Sequence, residues 1–74
     1  QAEQLLTDLG YVQSRVRIHG NIARIEVLEE QIERFVQKHK EVVSKKFKDL
    51  GFLYVVLDLE GYRTGSMNEV LKNK

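Results

Sequence analysis

The chain has 74 residues, 42% of them hydrophobic and 31% charged, with a formal net charge of +1 at neutral pH. One domain is the sensible count, and a domain near this size buries only about 60% of its unfolded surface, so a large, deep active-site cavity is not expected within it. The balanced charge argues against a globally basic nucleic-acid binder; the lack of cysteine excludes disulfides, thiolate metal sites and a thiol nucleophile, and fits the expectation of a cytoplasmic protein.

No apolar run approaches the roughly 18 residues of a membrane span, so no membrane partner is expected. The chain opens on Gln1 with an amphipathic pattern already running through Ala2, Leu5, Leu6 and Leu9. We therefore expect a piece of a longer protein, with a partner domain upstream. That first pattern has helical spacing and stops at Gly10.

From Val12 to His19 the period becomes two: Ser14, Val16 and Ile18 share one side, and Arg15, Arg17 and His19 the other. Gly20-Asn21 reads as a two-residue hairpin turn, and Ala23, Ile25 and Val27 continue the apolar side on the return strand. Between Glu29 and Leu50 the period is 3.6, with Ile32, Phe35, Val36, His39, Val43, Phe47 and Leu50 on one stripe. The stripe fits one helix, or two that break near Lys38 to Lys40; His39 reads as a residue at the boundary of the core. Leu53, Val55, Leu57 and Leu59 alternate with Tyr54, Val56, Asp58 and Glu60 in a third strand. In the tail, Ser66 and Glu69 form a capping box before a short turn of helix.

The predicted fold is α+β, a two-layer α-β-β-α-β domain without repeats or linkers. A right-handed crossover makes strands two and three parallel, and the expected strand order is 2-1-3, with the helices on one face and the other face open. On the open face the hairpin register sets Arg17 opposite Arg24 and Arg15 opposite Glu26. Tyr54 and Asp58 would join them if strand three lay beside strand one. Glu26 would then hold Arg15, leaving Arg17 with an unbalanced charge. Opposed arginines weaken a sheet, whereas clustered guanidinium groups match phosphate or carboxylate bidentately. The bland alternative is an ordinary solvated face or a domain interface, and His19 by itself is an ordinary surface residue.

Other chemistries lack their residues. Two histidines on different elements give no zinc spacing, and there is neither a Walker loop nor a dinucleotide-binding glycine pattern. Arginines stand where an RNA-binding sheet needs aromatic platforms, so base stacking is not expected.

The stretches "AEQLLTDLGY", "RVRIHGNIARIEV" and "LGFLYVVLDLEGYRTGSMNE" resemble, in that order, the C-terminal domain of the LarE-type ATP-dependent sacrificial sulfur transferases, of the PP-loop ATP pyrophosphatase superfamily. The resemblance is most specific in RVR-x-HG-x-x-ARIE and LDLEGYR-x-GSMNE. It implies an upstream PP-loop domain that uses ATP and Mg to adenylate a substrate carboxylate, and sulfur transfer to a pyridinium mononucleotide on the way to a nickel-pincer cofactor. It implies that this domain binds the substrate phosphate and supports a homo-oligomer. Arg15 and Arg17 would contact that phosphate with Arg63 near them; His19, Arg24 and Asp58, which the alternation of the strands puts on the same face, would support them. Glu3 and Glu26 would approach a divalent metal. The fragment alone is not expected to be catalytic. An RNA-contacting domain of a tRNA-thiolating PP-loop enzyme and a purely structural docking domain are the alternatives.

Overall fold

The structure, a computed structural model, describes residues 2–62. Arg63 and the capping box of Ser66 and Glu69 lie outside the described residues. The elements run α1 (Ala2–Asp8), β1 (Ser14–His19), β2 (Ile22–Val27), a 3-10 turn (Glu29–Gln31), α2 (Ile32–Arg34), a π-helical turn (Phe35–His39), α3 (Lys40–Asp49) and β3 (Tyr54–Leu57). This is the expected α+β domain.

Both longer helices end the same way. Gly10 donates to Thr7 O (3.0 Å) and Tyr11 to Leu6 O (2.9 Å). After α3, Gly51 donates to Lys48 O (3.0 Å) and Phe52 to Phe47 O (3.3 Å). These are paired Schellman bonds, which satisfy the last helix carbonyls and turn the next residue back onto the helix. Phe52 thereby meets Phe47, with ring centroids 6.1 Å apart, and Tyr11 is fully buried. The core joins Leu6 and Tyr11 to Ala23, Ile25 and Val27 of β2 and to Phe35, Val43 and Phe47 of the helical run. Burying a side chain such as Phe47 contributes on the order of 1.5–3 kcal/mol.

The helical run from Glu29 is interrupted where the sequence allowed a break. His39 leaves helical geometry (φ −125°, ψ 2°) between the π-helical turn and α3. It is half-buried, as expected of a residue at the core boundary, and its Nδ1 also meets the Tyr11 hydroxyl at 2.5 Å.

The sheet corrects one expectation. Its order is β1-β2-β3, so β2 is central and β1 lies at an edge, where 2-1-3 had placed strand one in the middle. β1 pairs antiparallel with β2, and β3 pairs parallel with β2. The physical reason lies in the two strands' composition. Ala23, Ile25 and Val27 are 0–1% exposed in β2, the burial that a middle strand receives from both sides. β1 carries Arg15, Arg17 and His19, and its Ile18 is 62% exposed; a charged strand of this kind suits an edge. One outward amide of this edge is also taken, because Val16 N donates to Glu3 Oε2 at 3.0 Å.

Candidate functional site

The hairpin forms as its sequence dictates. Gly20 takes φ +59°, the sign a primed two-residue turn requires. His19 pairs with Ile22, Arg17 with Arg24 and Arg15 with Glu26, the register read from the alternation.

What the side chains do with that register differs from the expectation. Glu26 does not hold its direct partner Arg15. Its Oε2 instead receives Arg17 Nε and Arg24 Nη2, each at 3.3 Å. The Glu26 side chain is only 9% exposed, against 46% for Arg17 and 39% for Arg24. Arg17 is diagonal to Glu26 across the strand pair, within reach of a long side chain. Arg15 lies over the Tyr62 ring, 5.9 Å from its centroid, a cation–π arrangement.

The opposed arginines are thus bridged, and the face carries one carboxylate against the guanidinium groups of Arg15, Arg17 and Arg24. Arg24 Nε is buried without a hydrogen-bond partner. An orphaned buried donor costs free energy, so Arg24 is held on this face at some expense to stability.

The strand order moves two residues away from Arg15 and Arg17. Tyr54 pairs with Ile22, and Val56 with Arg24, so Tyr54 and Asp58 lie on the far side of β2 from β1. Asp58 also has local work: its Oδ1 accepts from Glu60 N at 2.9 Å, and its carbonyl accepts from Gly61 N at 3.0 Å. This turn sends Tyr62 back to β2, where Tyr62 N donates to Val27 O at 2.6 Å. His19 is exposed at the hairpin end of β1.

The proposed metal pair does not fit as a donor set. Glu26 Oε2 is shared by two guanidinium groups, whose charge opposes a cation, and Glu3 Oε2 is bonded to the Val16 amide. Among the described residues no group of three or more His, Asp or Glu side chains converges as metal ligands.

Two residues at or near the site went unremarked in the sequence. Tyr62 supports Arg15, and "GY" after a strand gives no signal of that. Tyr11 is the buried post of the other layer: it contacts the Phe35 ring edge to face (5.2 Å), lies under Arg34 (5.3 Å) and bonds His39. Burial raises the Tyr11 pKa above the usual phenol value, while the Arg34 charge works in the opposite direction. A lone tyrosine just after a helix-ending glycine was the available clue.

No protein-family model matches the chain. It is 53% identical over 73 residues to an uncharacterized protein of Synechocystis sp., covering 96% of this chain and 27% of that protein. It is 42% identical over 50 residues to an uncharacterized protein of Methanocaldococcus jannaschii, covering 68% of this chain and 19% of that one. It is also 46% identical over 70 residues to the pyridinium-3,5-bisthiocarboxylic acid mononucleotide synthase of Lactiplantibacillus plantarum, covering 95% of this chain and 25% of the synthase. The chain spans about a quarter or less of the length of these relatives. Over nearly all of its own length, then, this chain is a homologue of part of a pyridinium-3,5-bisthiocarboxylic acid mononucleotide synthase.

Proposed function

We propose that this domain binds the phosphate of a mononucleotide substrate within a LarE-type ATP-dependent sulfur transferase. Arg17 and Arg24 supply the binding edge, and Arg15 stands beside them. The observation that carries the reading is the single Glu26 oxygen shared by Arg17 and Arg24. A buried carboxylate between two half-exposed guanidinium groups fixes their planes and removes only one of their two charges. Arg17 meets Glu26 through Nε, which leaves its two Nη groups outside that bond. They present paired donors of the kind that match a phosphate. The name of the synthase relative supports a pyridinium mononucleotide as the substrate class.

The rest of the activity belongs to parts of the protein beyond this domain. Adenylation by ATP and Mg requires a PP-loop, and this chain has none. The upstream PP-loop domain is the partner against which the open face presents the bound phosphate, and the domain also takes part in homo-oligomer assembly.

The test is an NMR titration with nicotinamide mononucleotide, inorganic phosphate and a short RNA. Shifts of Arg17 and Arg24 side-chain signals with the mononucleotide and with phosphate support the reading. Shifts with RNA alone favour a nucleic-acid contact through phosphates. No shift with any of them reduces the face to a docking surface.

A further inference from the structure

The two edges of the sheet are built differently. On β1 the outward amide of Val16 is taken by the Glu3 carboxylate, and the strand is charged. On β3, Tyr54 and Asp58 donate to Asn21 O and Ile25 O across the parallel ladder with β2. In such a ladder alternate residues turn their backbone groups to one neighbour, so Val55 and Leu57 direct their N–H and C=O groups away from β2.

Beside that edge lies a groove of about 480 Å³, floored by Val43, Val55 and Leu57, with Val36 and the charged Lys40, Glu41 and Lys45 along its helical wall. Among the described residues no side chain bonds this edge as Glu3 bonds the other. An open, apolar strand edge is a template for another strand.

We propose that this edge accepts an extended segment of a partner protein as a fourth strand, one that carries apolar residues at alternate positions and carboxylates beside them. Charge complementarity selects this occupant. Residues 38–49 carry Lys38, Lys40, Lys45, Lys46 and Lys48 against Glu41 and Asp49, and of these Lys40, Lys45 and Glu41 line the groove. Asp49 already pairs with Lys45 at 3.7 Å, and Lys40 is in no ion pair among the described residues. Pairing β3 with a second copy of itself would set two such lysine-rich helices side by side, and the repulsion disfavours it. An acidic strand meets Lys40 and Lys45 instead, while its main chain bonds Val55 and Leu57. The surface is separate from the arginine face of the hairpin and does not depend on that reading.

The test is amide hydrogen exchange on the protein with a short synthetic peptide of alternating valine and glutamate. The expected result is slowed exchange at Val55 and Leu57. Binding should be roughly fivefold weaker when lysine replaces glutamate, and lost when the peptide's edge-facing amides are N-methylated. Val55→Pro removes one outward donor without touching the ladder to β2, and should also abolish protection at Leu57, the remaining outward amide. Three results would overturn the proposal: unchanged exchange at saturating peptide, equal binding of the lysine peptide, or protection of Val55 and Leu57 before any peptide is added.

Discussion

Arg17 and Arg24 are direct cross-strand partners, yet they are joined rather than opposed, because each places a guanidinium nitrogen 3.3 Å from the same oxygen of Glu26. Stability and function meet in this arrangement. The carboxylate makes a repulsive pair tolerable, and the charge it leaves over is what an anion would use.

Glu26→Gln tests the structural half of that statement. Without its negative charge, the two guanidinium groups repel and two charge-assisted bonds become ordinary ones. The expected loss is about 1–2 kcal/mol, kept modest by the solvent exposure of both arginines. Urea unfolding measures it; a midpoint equal to that of the unaltered protein would contradict the bridge.

Tyr11→Phe removes the hydroxyl that meets His39 Nδ1 and should cost about 1 kcal/mol. A pH signature separates this effect from simple packing. The folded state raises the Tyr11 pKa above 10.0, chiefly by burial. The folded protein therefore holds the phenol proton more tightly than the unfolded chain does. That contribution is complete below the unfolded value and is lost as pH rises through the folded one. Stability should thus fall more steeply with pH above about 10 in the parent than in Tyr11→Phe. Parallel curves from thermal melts across that range would contradict the raised value.

Gly61→Ala should be among the most damaging changes to the turn after β3. Gly61 has φ +82°, and a Cβ there would lie 2.7 Å from Val27 O and 2.9 Å from Glu29 N, both backbone atoms that cannot yield like a side chain. Strain and clash together should cost on the order of 3 kcal/mol, and should displace Tyr62 from beneath Arg15. A circular-dichroism melt within a degree of the parent would contradict this.

The hairpin register was legible because Gly20-Asn21 allows one turn and the alternation on either side fixes which residues face each other. The helical stripe was legible for the same kind of reason at Phe35, Val43 and Phe47, which are buried, whereas Val36 and Leu50, read onto the same stripe, are exposed. The strand order was not, because a period of two tells which side of a strand is apolar but not which strand has neighbours on both edges. The sign lay in composition: Arg15, Arg17 and His19 are what an edge strand carries, and they were read as an open face, for a ligand or for solvent, rather than as the mark of an edge. The site was legible as a cluster but not as a bonding pattern. Register set Arg15 opposite Glu26, whereas the reach of a long diagonal side chain and the ring of Tyr62 decided the actual partners.

The most direct test of the central claim is calorimetry of the intact protein with nicotinamide mononucleotide, comparing the parent with Arg17→Ala at low and moderate salt. One charge-assisted contact to phosphate is worth about 1.5–3 kcal/mol, so affinity should fall about tenfold or more. The parent's own affinity should weaken as salt rises, because the face is open to solvent. Arg24 remains to hold Glu26, so stability should change by no more than about 1 kcal/mol. Equal affinity for parent and variant, with stability unchanged, would contradict phosphate binding at this face.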